Sequence, residues 1–253
     1  MIPQLNDREQ QILTLIVQDP NLSVTDLANE LSVSTVTMRA YLNGLSEKGY
    51  IYRVRGGAVP TIHPEIIQRE QRNQQEKRAI ARAAADLVEN GDTIMIEAGT
   101  TTAMVARFLL GKRDVTIVTN NTLAMGHARG NPGLRLHVVG GEFRPATESV
   151  VGPIALEHLQ RFHVRLAFVG TDGFSVNRGL STHLVEGAEI VKQMSAQADQ
   201  TVVLADSAKY NANGFVEVLP ISAVTQIITD GNLSDEAHDE LIDAGVLVTR
   251  VQS

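Results

Sequence analysis

Six residues of the 253-residue sequence, Glu97-Ala98-Gly99-Thr100-Thr101-Thr102, bring a carboxylate, a glycine and three hydroxyls into one run. They follow the apolar, β-branched stretch Thr93–Ile96 and precede an apolar helical pattern. Glycine lets a chain turn tightly from strand into helix. Amides and hydroxyls at a helix start can seat a phosphate or another anion. Simple helix capping accounts for the same run as well. No Gly-Lys-Ser/Thr follows, so the run is not a nucleotide P-loop, and no GxGxxG dinucleotide fingerprint occurs.

The same small, polar chemistry recurs after other apolar runs: Thr119-Asn120-Asn121, Gly140-Gly141, Gly170-Thr171-Asp172-Gly173 and Asp206-Ser207-Ala208-Lys209. At the carboxyl ends of parallel strands such residues converge on one crevice, where ligands generally bind. Lys209 is suited to neutralise an anion. Glu97, Asp172, Glu186 and Asp206 are suited to accept hydrogen bonds from sugar hydroxyls. Each residue alone reads equally as a capped turn or a surface charge; the repetition is what favours a site. The histidines are dispersed, without metal-ligand spacing and without a legible Ser-His-Asp set, so neither a metal nor a catalytic triad is expected. His183, beside Ser181-Thr182, is a possible ligand contact. No cofactor is called for.

Several elements must position these residues. Apolar runs at Thr93–Ile96, Val115–Thr119, Leu134–Val139, Leu166–Val169, Thr201–Ala205, Ile227–Thr229 and Val246–Val251 alternate with helical or glycine-rich segments. Short, nearly continuous apolar runs predict parallel strands covered by helices on both faces, an α/β architecture. Lys77 to Val88 predicts an amphipathic helix. Residues 59–75 are polar and mixed in charge, a linker with partial helical character.

Residues 1–58 read differently, as three short helices and a hairpin. Asn6 with Glu9 and Ser23 with Asp26 have capping-box spacing, and Ser34 is placed to cap a third helix. Met38, Leu42 and Leu45 form the buried stripe of that helix, which leaves Thr35, Val36, Thr37, Arg39 and Tyr41 towards the open side. Tyr50 to Gly57 predicts a small hairpin on which Arg53 and Arg55, two apart, share a face. Three helices and a basic hairpin describe a winged helix-turn-helix, with Ser34, Thr35, Thr37, Arg39, Tyr41, Arg53 and Arg55 as candidate DNA contacts. A protein-binding helical module with a solvated basic face is the alternative at this level.

In order along the chain, these motifs resemble the DeoR family of transcriptional repressors. The resemblance rests on Leu22–Ala28 and Leu31–Arg39, followed by Leu42, Leu45, Gly49, Arg53 and Gly56-Gly57-Ala58. It continues with Glu97–Thr102, Thr119-Asn120, Gly140-Gly141, Gly170–Gly173, Gly179–Thr182, Asp206–Lys209 and Ile228–Asp230. The third helix of the family usually reads Val-Ser-x-x-Thr-Ile-Arg-Arg-Asp-Leu. Here Met38 replaces the Ile, while Ala40 and Tyr41 replace an Arg and an Asp, so the operator preference is expected to differ. Glu97 stands where Asp is common.

The resemblance implies an effector domain similar to ribose-5-phosphate isomerase and a phosphorylated sugar as inducer. Together with the residue chemistry above, the candidate effector contacts are Glu97, Gly99, Thr100, Thr101, Thr102, Thr119, Asn120, Gly140, Gly141, Asp172, Gly173, Glu186, Asp206 and Lys209. The expected organisation is therefore a winged helix-turn-helix over 1–58, a linker over 59–75 and a sugar-phosphate-binding domain over 76–253.

Composition bounds this reading without contradicting it. No cysteine is present, which excludes disulfides and thiolate chemistry and fits a reducing cytosol. The N-terminus lacks a signal-peptide pattern, and no apolar run approaches the ~20 residues of a membrane span. The net charge of −7 gives no global attraction to DNA, yet residues 39–58 carry four cations against one anion. A single head with so few cations predicts a homodimer or homotetramer on several half-sites of operator DNA. The enzyme alternative is a sugar-phosphate isomerase with an appended regulatory head; a protein-binding adaptor is the third.

Overall fold

The computed structural model describes residues 5–252. It forms two compact units, one up to Arg72 and one from Asn73.

In the first unit, α1 (Asp7–Gln18), α2 (Val24–Glu30) and α3 (Thr35–Glu47) start where the caps stand. Asn6 and Ser23 each form a reciprocal capping box, with Glu9 and Asp26, and the Ser34 hydroxyl accepts from the Thr37 amide at 3.0 Å. Their apolar stripes meet in one core around Ile12, Leu13, Ile16, Leu27, Met38, Leu42 and Leu45. Strands β1 (Ile51–Val54) and β2 (Gly57–Pro60) pair antiparallel, and the turn between them is tied to α2 by the Val24 amide donating to the Gly56 carbonyl. The segment expected as a linker with partial helical character is helical in part and packs onto the helix core. Residues 57–60 complete the hairpin and α4 (Pro64–Gln71) follows, because Ile67 has an apolar surface to bury against the helix core.

The second unit begins with α5 (Gln74–Asp86) and continues as β3 (Thr93–Ile96), α6 (Thr100–Phe108), β4 (Val115–Thr119), α7 (Thr122–Ala128) and β5 (Leu134–Val138). After a hairpin, β6 (Glu142–Arg144) with β7 (Ser149–Val151), come α8 (Pro153–Leu159) and β8 (Val164–Val169). Then follow β9 (Gly173–Ser175), β10 (Gly179–Thr182), α9 (Val185–Ala196), β11 (Ala198–Leu204), β12 (Val216–Leu219), β13 (Gln226–Asp230), α10 (Asp235–Asp243) and β14 (Leu247–Val251).

Seven of these strands form one parallel sheet in the order β14-β13-β11-β8-β3-β4-β5. Alternate residues of a strand face opposite sides, and both sides are apolar. Ile94, Ile96, Ile117 and Phe168 pack with α5, α6 and α7, whereas Met95, Val118, Ala167 and Val203 pack with α8, α9 and α10. The chain runs outward from β3 to β5, then returns beside β3 with β8 and continues the other way. That reversal is a topological switch point, where strand ends open a crevice. The hairpin β6–β7 and a three-stranded antiparallel sheet, β12-β10-β9, are additions that the apolar-run pattern did not indicate.

Candidate DNA interface and effector crevice

In the first unit, the face of α3 opposite Met38, Leu42 and Leu45 exposes Val36, Thr37, Arg39, Ala40 and Asn43. The Arg53 guanidinium reaches from β1 to the Asn43 side-chain oxygen at 2.6 Å, so hairpin and helix present one surface. Ser34 and Thr37 share the cap, with their hydroxyls 2.8 Å apart, and both remain exposed. Thr35 is half-buried.

Two expectations change here. Tyr41 packs against the helix core instead of standing on the open side, because positions 38, 41, 42 and 45 lie on one helical stripe. Arg55 lies in the exposed turn after β1 and does not share a strand face with Arg53. Asn43 escaped the sequence reading, although its spacing from Val36, Arg39 and Ala40 was the available signal. Lys48, counted in the basic segment, is engaged internally: its ammonium lies 2.6 Å from buried Glu9.

In the second unit, the switch point holds the Glu97–Thr102 run. The Glu97 carboxylate accepts from the Gly170 amide at 3.0 Å, joining the ends of β3 and β8. Gly99 has φ +155°, and α6 begins at Thr100 without a side-chain cap. Thr102 is buried and donates to the Gly99 carbonyl; Thr100 is buried and Thr101 half-buried. Asn121, wholly buried, donates to the Glu97 and Gly99 carbonyls at 3.0 Å each. Thr119 is spent in the framework, donating to the Ile96 carbonyl and accepting from the Asn121 amide. Asn120 donates to the Val150 carbonyl of the hairpin.

Asp172, after β8, accepts from the Thr182 hydroxyl at 2.9 Å and the His183 amide at 3.0 Å. Glu186, in the first turn of α9, pairs with Arg144 of β6 at 2.7 Å. Its own helix-end amide and Arg144 hold the Glu186 carboxyl below the usual range. Asp206 is buried at the end of β11, next to Ser207, which donates twice to Asp230. Lys209 is half-buried, and no ion pair holds its ammonium among the described residues.

Three of the expected glycines have packing reasons. A Cβ on Gly141 would lie 2.5 Å from the Val151 carbonyl oxygen, and one on Gly173 would lie 1.9 Å from that of Ala212. A Cβ on Gly140 would lie 3.1 Å from the His158 Cε1. Arg144 was missed: its value as a partner of Glu186 exists only in the tertiary structure.

Four buried side-chain atoms lack a hydrogen-bond partner among the described residues: Asn120 Oδ1, Asp206 Oδ1, Thr229 Oγ1 and Arg144 Nε. Asn120, Asp206 and Thr229 stand at the carboxyl ends of β4, β11 and β13, and Arg144 is on the hairpin attached to β4. Buried polar atoms are nearly always paired, so this collection marks where hydrogen-bonding capacity is open. A cavity of about 560 Å³, lined by Arg178, Lys192, Glu217 and Ser222 among others, lies elsewhere and includes none of these residues. Among the described residues no cluster of metal-ligating side chains occurs, and no helix is long and apolar enough to cross a membrane.

Comparison with known proteins places both units. Residues 8–61 match the DeoR-like helix-turn-helix domain, and residues 72–231 match the DeoR C terminal sensor domain. The HTH-type transcriptional repressor CsqR of Escherichia coli (strain K12) is 35% identical over 228 residues, 89% of this chain and 87% of the relative. The HTH-type transcriptional regulator GlpR of Haloferax volcanii is 32% identical over 247 residues, 96% of each chain. Among solved structures, ribose 5-phosphate isomerase from Plasmodium falciparum overlaps 55% of this chain and 54% of its own at 18% identity and a TM-score of 0.38. The placement stands without that partial overlap. The relatives are regulators, which sets aside the isomerase alternative.

Proposed function

Since the chain belongs to the DeoR family of transcriptional regulators, we propose that it represses a carbohydrate-utilisation operon under the control of a phosphorylated sugar. The exposed face of α3 and the β1–β2 hairpin bind operator DNA, with Thr37, Arg39, Asn43, Arg53 and Arg55 as the contacts. The sugar phosphate binds at the carboxyl ends of β3, β4, β8 and β11. There the amides of Gly99–Thr102 and the hydroxyls of Thr100 and Thr101 meet the anion, Lys209 supplies positive charge, and Asp172 and Asp206 accept from sugar hydroxyls. The observation that carries this reading is the pair of unpartnered buried oxygens, Asn120 Oδ1 and Asp206 Oδ1, at the ends of β4 and β11. A polyhydroxylated ligand satisfies such atoms. To regulate, the ligand must bind one conformation of the repressor more tightly than another. Two or more chains acting on paired half-sites give the weakly basic heads sufficient affinity.

The test is fluorescence anisotropy of the full chain on the upstream region of its own operon, at two salt concentrations, with a panel of sugars and their phosphates. Salt-sensitive binding that a phosphorylated sugar weakens, and the free sugar does not, is the expected result. Absent or salt-insensitive binding overturns the DNA reading. Equal effects of free and phosphorylated sugars overturn the effector reading.

A further inference from the structure

Arg144 lies opposite Ser149 in the β6–β7 hairpin, and Ser149 bridges to Asn121, whose side chain holds the Glu97 and Gly99 carbonyls. Glu186 lies in the first turn of α9, which follows β10, whose Thr182 is bonded to Asp172 after β8. Since β3 lies between β4 and β8 in the sheet, the Arg144–Glu186 pair joins the two flanks of the Glu97–Thr102 run. The pair is incomplete. Glu186 takes Nη2 at 2.7 Å, Glu142 lies 3.4 Å from Nη1, and the buried Nε donor has no partner.

We propose that Arg144 joins the start of α6 in receiving the anionic group of the effector, and that Glu186 occupies it as an internal stand-in which the ligand displaces. The inference rests on the strand-end crevice being the effector site. A guanidinium offers Nε and one Nη as parallel donors, and a phosphoryl group takes both, whereas Glu186 takes only one. Release costs Glu186 little, because a carboxylate in the first turn of a helix keeps the favourable field of the helix end. Exchange of one anion for another on Arg144 loosens the tie between hairpin and α9, so occupancy becomes a change of structure.

The experiment titrates inorganic phosphate, and in parallel the sugar phosphate selected by the panel above, into the full chain by calorimetry. It compares wild type with Arg144→Gln and Glu186→Gln. Loss of a charge-assisted hydrogen bond pair predicts at least about tenfold weaker binding for Arg144→Gln. Removal of the competing carboxylate predicts about two- to fivefold tighter phosphate binding for Glu186→Gln, a gain that misfolding cannot mimic. Unchanged binding in Arg144→Gln, or weaker phosphate binding in Glu186→Gln, overturns the exchange while leaving a crevice that binds the sugar phosphate intact. Failure of the wild type to bind either probe overturns the crevice reading together with the exchange.

Discussion

Glu9 combines three duties in one side chain: it closes the capping box of α1, lies buried in the helix core and pairs with Lys48 at the end of α3. Burial alone pushes its carboxyl up, but Lys48 and the Asn6 amide outweigh burial and hold it low. A carboxyl lowered by folding stabilises the protein above its unfolded pKa, and the contribution is lost as pH falls through the folded value. Lys48→Met is therefore expected to cost the first unit about 1–3 kcal/mol at pH 7 in urea unfolding, since it leaves a buried charge unpaired. That difference should shrink below about pH 4. On the exposed face, Arg39→Ala removes a candidate phosphate contact. It should weaken binding similarly across operator variants and reduce the slope of log K against log salt by about 1. Asn43→Ala frees Arg53 from its helix partner and should change operator preference more than salt dependence.

Two close backbone approaches make predictions at the level of elements. The β1–β2 turn packs against the start of α2, and a Cβ on Gly57 would lie 2.9 Å from the Leu22 carbonyl oxygen. Gly57→Ala should destabilise the hairpin by about 1–3 kcal/mol and weaken DNA binding through it, without altering effector binding. At β9, the approach of Ala212 to Gly173 leaves no room for a methyl group. Gly173→Ala should lower the thermal midpoint of the second unit while DNA affinity per folded molecule is retained. Comparison of anisotropy with circular dichroism separates the two outcomes. The Ala212 backbone, in the segment between β11 and β12, gives Gly173, read as a ligand contact, a structural reason to be glycine.

At the scale of the molecule, acidity is unequally distributed: residues 1–82 carry a net +1 and residues 83–253 a net −8. With Lys48 engaged by Glu9, each DNA head offers Arg39, Arg53 and Arg55 to phosphates. The slope of log K against log salt should thus be about −2.7 for one head and about −5.4 for a pair. Acid stability of the second unit draws on Asp92 and Asp230 among its lowered carboxyls. Hydrogen bonding by Arg165 holds Asp92 low, and for Asp230 the amides of Ser207 and Asn232 outweigh the upward push of burial. Both contributions are complete at neutral pH and disappear as pH falls through the lowered values. The urea midpoint should consequently fall between pH 6 and pH 3, with Asp92→Asn abolishing part of the fall.

The sequence alone determined the elements whose rules are local. Asn6, Ser23 and Ser34 mark their helices because a short polar side chain satisfies the amides three residues on. The apolar runs mark seven parallel strands because both faces of that sheet are covered. Helix α3 was legible down to its buried stripe, and strict attention to its period would also have set Tyr41 against the core. Only the tertiary structure decided which strand ends are neighbours. The reversal between β3 and β8 brings Glu97 to Gly170, and the hairpin carries Arg144 to Glu186 across forty-two positions of chain. It also gave Gly141 and Gly173 packing reasons to be glycine, since close approach between distant backbones leaves no mark in residue spacing. Local hydrogen bonding and side-chain period are written along the chain, whereas strand order and the pairing of charges across a crevice arise from packing between segments that the sequence keeps apart.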